Sequence, residues 1–183
     1  EGKVRYIGTS NDTAYGLTKA NETSKNKNLA RFESIQNNFS LLNPRFHDEL
    51  ANVCRLENIS LLPYSPMAGG VLSGKYCGGF YPEGSRFATY LKESNKRVQA
   101  MAHRFVNERT LEATKKYLEL SKEYEVSPVT LAIYYSKHFD FVASTIVGAR
   151  KIEQLDDSFK AFDFKISNEL LKRIEIIQKD ILY

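Results

Sequence analysis

Val4-Arg5-Tyr6-Ile7-Gly8-Thr9-Ser10-Asn11-Asp12-Thr13 decides how the rest of the chain reads. Residues 4–8 form a short β-rich run of strand length. Thr9-Ser10-Asn11 then supply polar groups at its carboxyl end. Asp12 or Thr13 can accept hydrogen bonds from the first free amides of a helix. Ala14, Leu17 and Ala20 share one face of that helix, which is expected to run to about Ser24. A strand, a polar rim and a capped helix make one β/α unit, and the same order recurs along the chain.

Three further runs read as strands: residues 32–36, 60–64 and 142–147. Pro63 lies near the end of the third, where a residue that cannot donate to a ladder is tolerated. Between the second and third, Phe46, Leu50 and Val53 form the stripe of a helix over residues 46–56. A helix is expected over residues 110–124, and another opens at Ser127-Pro128, a cap followed by proline at the first helical position. Its Val129, Ala132, Ile133 and Ser136 share a face. After the fourth strand, Ile152, Leu155, Phe159 and Phe162 form a periodic stripe. Ser167 starts a last helix with Leu170, Ile174, Ile177 and Ile181 inward. A Gly-rich stretch, residues 69–84, follows the third strand, and the polar residues 85–109 read as a loop insertion.

Strict alternation of strand and helix predicts an α/β fold with a parallel sheet and helical crossovers. Four parallel strands with helices on one side leave the other face wet. A (β/α)8 TIM barrel closes that face with eight strands in about 250 residues. Residues 1–183 therefore read as the C-terminal half of one barrel domain, strands five to eight, with a small doubly wound sheet as the competing arrangement.

Composition narrows the class. With 42% hydrophobic and 26% charged residues the chain is an ordinary globular one. Its net charge of +4 is scattered, and Lys25-Asn26-Lys27 is interrupted, so no nucleic-acid partner is expected. No apolar run approaches the ~18 residues of a membrane span, and the opening Glu1-Gly2-Lys3-Val4 carries no secretory signal. The lack of an initial Met suggests a fragment or a processed product. Cys54 and Cys77 are too few for a disulfide scaffold. His47, His103 and His138 show no metal-ligand spacing, so no metal is expected. These features together point to a reduced, cytoplasmic protein.

In barrels, ligand chemistry gathers at the carboxyl ends of strands. Here those ends carry Ser10-Asn11, Gln36-Asn37, Tyr64-Ser65-Pro66 running into Gly69-Gly70, and Gly148-Ala149-Arg150. Each has a plain structural explanation: a turn, a loop amide, a core ring, a flexible pair. Arg150 is odd, because a helix start disfavours a cation. A bound anion removes the conflict. Barrels often build phosphate sites from the loops after strands seven and eight, the positions of the Gly-rich loop and the Gly148 turn. As a set, these residues favour a nucleotide or phosphorylated ligand.

Four stretches resemble aldo-keto reductases, in order and at similar spacing. They are Gly2-Lys3-Val4-Arg5-Tyr6-Ile7-Gly8-Thr9-Ser10-Asn11, Ile35-Gln36-Asn37-Asn38-Phe39-Ser40-Leu41-Leu42-Asn43, Tyr64-Ser65-Pro66-Met67-Ala68-Gly69-Gly70-Val71-Leu72-Ser73-Gly74-Lys75-Tyr76, and Gly148-Ala149-Arg150 with Glu153-Gln154-Leu155. Within that family the chain is similar to Tas-like bacterial reductases and potassium-channel β-subunits. The resemblance implies an NADPH-dependent oxidoreductase. Ser10, Asn11 and Gln36 would bind the nicotinamide carboxamide, and Tyr64 would stack on the ring. The backbone of Ser65, Pro66, Met67 and Ala68, with Lys75, would hold the pyrophosphate. Arg86 would meet the adenosine phosphates, Gly148 and Arg150 the 2′-phosphate, and Gln154, Asp157 and Ser158 the adenine and its ribose. The chain departs from the family pattern at Asp157-Ser158, where Glu-Asn is usual, in the Asn/Lys-rich insertion before Arg31, and over residues 77–109 outside Arg86.

The family's catalytic Asp, Tyr, Lys and His lie on the first four strands, so this chain is expected to hold none of them. Its expected partners are a carbonyl substrate and the N-terminal half of the same barrel. Alone, the half should bind NADPH weakly and be marginally stable or self-associating. A non-catalytic, NADPH-binding regulatory subunit is the alternative, and a barrel binding another phosphorylated ligand is a third.

Overall fold

The computed structural model describes residues 1–182. Three parallel strands form one sheet in the order β1 (Ile7–Ser10), β2 (Phe32–Gln36) and β3 (Ser60–Leu61). The crossover from β1 to β2 is α1 (Ala14–Asn26), capped by the Thr13 side chain, which accepts from the Gly16 amide. The crossover to β3 is a 3-10 turn, Arg45–His47, followed by α2 (Leu50–Glu57), so the helix expected from Phe46 starts four residues later. β1 also sits further along than residues 4–8, leaving Val4 and Tyr6 exposed. The bend between Ile7 and Gly8 in the β1 register falls where a Cβ on Gly8 would lie 2.4 Å from Ser34 Oγ.

The fourth predicted strand is reduced to one parallel bridge, Leu61 to Val142. Leu61 makes both rungs a parallel ladder asks of it: its amide donates to Phe141 O at 2.7 Å and its carbonyl accepts from Ala143 N at 3.0 Å. The next inward rung needs an N–H from residue 63, which is proline. The Pro63 carbonyl instead takes the Ile146 amide at 2.8 Å, and the regular ladder stops.

Residues 85–109 are not the loop insertion expected. They carry α3 (Arg86–Lys92) and α4 (Lys96–Phe105), capped by Ser85 and Asn95, before α5 (Glu108–Glu123) begins. Their inward residues Phe87 and Ala102 are buried against the loop after β3. The remaining helices are α6 (Pro128–Lys137), α7 (Glu153–Asp163) and α8 (Asn168–Ile177). Ser127 and Ser167 cap α6 and α8.

One core joins these elements. Phe39, fully buried, meets the rings of Phe46, His47, Tyr135, Phe139 and Phe141 within 5.2–6.1 Å. Some polar groups inside it are paired with backbone carbonyls. Tyr117 donates to Leu41 O at 3.0 Å, and Gln178 Nε2 donates to the same carbonyl at 3.3 Å. Burial holds the Tyr117 phenol well above its ordinary pKa, so it remains a donor. On α7 the periodic apolar stripe is largely exposed. Ser158 and Ala161 are buried against α6, while Ile152 and Phe162 are 80% and 70% exposed. Short side chains permit close helix approach, and Thr130 Oγ1 fastens that contact by donating to Asp157 O at 2.8 Å.

Candidate functional site

Three strand ends meet in a chain of hydrogen bonds. Tyr64 Oη donates to Asn11 Oδ1 at 2.7 Å, Asn11 Nδ2 to Ser10 Oγ at 3.1 Å, and Ser10 Oγ to the Gln36 carbonyl at 2.9 Å. Asn11 reaches this arrangement with φ 55°, a left-handed turn that asparagine tolerates, and its amide donates to Gln36 O at 3.1 Å. The Tyr64 backbone is registered by its amide, which donates to Asn37 O at 3.0 Å. The Gln36 side chain itself is exposed.

From Tyr64 a cleft of about 940 Å3 opens between the loop after β3, the residue 82–86 turn and the start of α7. That size is at the upper end of ligand pockets. The loop is shaped by four left-handed residues, Ser65, Ala68, Gly69 and Gly70, with φ of 54°, 49°, 66° and 95°. At Gly70 a Cβ would stand 2.8 Å from Lys75 Nζ, so the ammonium lies directly over the bare backbone. Opposite, the Arg150 guanidinium donates to the Gly84 carbonyl and ties the Gly148 turn to the residue 82–86 turn.

The start of α7 has no side-chain cap from Ile152. Gln154 folds back instead, its Oε1 accepting from the amides of Arg150 at 2.9 Å and Lys151 at 3.3 Å. One turn on, Asp157 pairs with Lys160 at 2.9 Å. Hydrogen bonding from that lysine, then from Ser127, holds its carboxyl below the usual range.

Eleven of the fifteen sequence-predicted residues line this cleft: Tyr64, Ser65, Pro66, Met67, Lys75, Arg86, Gly148, Arg150, Gln154, Asp157 and Ser158. Ser10, Asn11 and Gln36 belong to the strand-end cluster that Tyr64 joins to it. Ala68 differs, because its side chain is 2% exposed and lines another cavity, leaving only its backbone to the turn. Lys151, Glu83 and Glu153 line the cleft and were not singled out beforehand. Lys151 follows directly on Arg150, which is the signal that could have found it. The walls hold Lys75, Arg86, Arg150 and Lys151 against Glu83, Glu153 and Asp157, and Asp157 is already paired. Cations are therefore in excess. Among the described residues no group of three or more His, Cys, Asp or Glu could hold a metal ion, and no helix is long and apolar enough to cross a membrane.

The profile of the Aldo/keto reductase family matches residues 1–179. The chain belongs to the aldo/keto reductase family. This is a family of oxidoreductases that generally use nicotinamide cofactors and adopt a (β/α)8 fold. The chain is 32% identical over 182 residues to protein tas of Escherichia coli K12, covering all of this chain and 50% of that one. It is 31% identical over 177 residues to a putative aryl-alcohol dehydrogenase of Schizosaccharomyces pombe, covering 95% and 46%. It is 28% identical over 180 residues to a putative voltage-gated potassium channel subunit beta of the same yeast, covering 97% and 51%. The chain thus spans about half the length of the curated relatives it matches.

Proposed function

We propose that this chain is the cofactor-binding C-terminal half of an NADPH-dependent aldehyde or ketone reductase, a single (β/α)8 domain whose strands five to eight lie here. The observation that carries the reading is the continuity of two chemistries: an uncharged hydrogen-bonding cluster at the strand ends, joined through Tyr64 to a cleft rich in cations. A carboxamide needs donors and acceptors without charge, and phosphates need cations and exposed backbone. Both fit the residues present. Apolar side chains left bare before β1, Val4 and Tyr6, support closure by an N-terminal half.

In this reading Ser10, Asn11 and Gln36 orient the carboxamide, and Tyr64, held by Asn11, offers its ring face to the nicotinamide. The turn of Ser65, Pro66, Met67 and Ala68 and the Lys75 ammonium receive the pyrophosphate. Arg86 neutralises the adenosine phosphates, while Gly148 and Arg150 meet the 2′-phosphate. Gln154, Asp157 and Ser158 bound the adenine end. Bound NADPH supplies the hydride. Proton delivery to the carbonyl oxygen falls to groups outside this chain, and the substrate pocket is shared with them. A second reading, a cofactor-sensing regulatory subunit, is favoured by the similarity to the yeast channel subunit. The reductase reading places the protein in the cytoplasm.

Fluorescence titration of the full-length protein with NADPH and NADH tests the cofactor. Arg150→Ala should weaken NADPH by about tenfold or more and leave NADH nearly unchanged, the worth of a charged hydrogen bond. Failure to bind either nucleotide would overturn the proposal. Carbonyl-dependent consumption of NADPH then separates the reductase from the regulatory subunit.

A further inference from the structure

A second cavity, of about 400 Å3, lies on the other side of the residue 65–70 turn. Its floor is the segment after β2, through Asn38, Ser40 and Asn43, and its roof is the junction of α4 and α5. Three arginines line it, Arg45, Arg104 and Arg109, and among the described residues no carboxylate does. None of the three forms an ion pair among the described residues, and Arg109 Nε is held by Ile181 O at 2.8 Å. A hollow edged by three cations attracts anions.

Two residues that line this hollow, Ser40 and Asn38, also carry buried polar atoms without a partner. Ser40 is 1% exposed and its Oγ has no partner; Asn38 Oδ1 is likewise buried and alone. Such groups cost stability when nothing answers them. A serine hydroxyl can donate, and the Asn38 amide can turn to present its NH2 in place of the oxygen. The amino terminus of α5, capped by Asn107 and Thr110, points its dipole at the same space.

We infer that this cavity binds the oxyanion of a small molecule, a carboxylate or a phosphate, held by Arg45, Arg104 and Arg109 with Ser40 and Asn38 beneath. The site is separate from the cofactor cleft. Ala68 lines it, whereas Met67 and Gly69 on either side line the cleft. Planar guanidinium forks suit both carboxylate and phosphate oxygens.

Calorimetric titration of the full-length protein with inorganic phosphate and, separately, malonate tests it and distinguishes the two oxyanions. At least one should bind saturably. Arg45→Ala with Arg104→Ala should weaken that binding by at least about tenfold. Both side chains are exposed, so their removal should leave the melting temperature unchanged. Ser40→Ala should weaken it less, and Arg150→Ala, in the other cleft, should not abolish it. Saturable binding in the absence of any NADPH binding would uphold this site while removing the cofactor reading. Binding unaffected by the double substitution, abolished by Arg150→Ala, or absent for both probes would overturn the inference.

Discussion

Replacing Gly69 by alanine measures how tightly the cleft's floor is built. Gly69 has φ 66°, and a Cβ there would lie 2.5 Å from Phe87 Cζ and 2.9 Å from Phe87 Cε2. The ring cannot swing away freely, because it is buried and meets Tyr76, Tyr90 and Phe105 at 5.5–5.8 Å. A left-handed non-glycine residue costs about 1–2 kcal/mol. Overpacking a filled core costs about 1–3 kcal/mol. Gly69→Ala should therefore destabilise by about 2–5 kcal/mol. With an m-value of about 2–3 kcal/mol/M, the urea midpoint falls by about 1–2 M. Gly148→Ala is the control in the same cleft: its φ is unexceptional and no atom lies within 4 Å of the built Cβ. It should stay within about 0.5 kcal/mol. A cycle with Phe87→Leu should recover the steric part, about 1–3 kcal/mol, and leave the backbone part. Equal midpoints for Gly69→Ala and Gly148→Ala would refute the reasoning.

Two further outcomes follow from burial of titratable groups. Burial among Phe39, Phe139 and Phe141, and secondly the nearby Arg55 charge, lowers the His47 pKa below 6.5. The unfolded chain then takes up a proton that the folded one resists, so stability should fall as pH drops from about 6.5 and level off below the folded pKa. Urea midpoints at about pH 5 and pH 7.5 should differ less in His47→Leu; an unchanged pH slope would contradict this. Burial also pushes the Cys54 thiol up to about 11, and raises Cys77 in the same direction at a half-buried position. A disulfide reagent at about pH 8 should modify Cys77 slowly in the native protein and Cys54 only on unfolding, because the thiolate is the reactive form. Native labelling of Cys54 at the denatured rate would exclude that environment.

Local chemistry made much of this fold legible. Thr13, Ser127 and Ser167 announced their helices because a cap acts within four residues. β2 was readable to its ends. What failed depended on distant partners. Residues 142–147 have strand composition, yet a ladder needs rungs from the neighbour, and Pro63 withholds one. Residues 85–109 read as polar because α3 and α4 are amphipathic and short, although Ser85, Asn95 and the Val98, Ala102, Phe105 spacing were available signals. On α7 the periodic stripe through Phe159 and Phe162 does not mark the packed face, because the helix packs through Ser158 and Ala161, a preference for small size that periodicity ignores. The site was readable where glycine and arginine conflict with ordinary helix starts. Lys151 was lost beside Arg150, and the second cavity was invisible because Arg45 and Arg104 lie 59 residues apart in sequence (104 − 45).

The turn carrying Ala68 is the partition between the two hollows, with Met67 and Gly69 lining one and Ala68 the other. A wall shared by two ligands is a thermodynamic link. Whatever displacement of residues 65–70 one occupant requires, the other meets as a changed surface. The resulting factor must be identical in both directions, since each ligand's effect on the other's affinity closes the same cycle. If both hollows take ligands and the turn shifts with either, occupancy of the arginine-lined cavity would be readable from the cleft on its other side, without any residue that touches both.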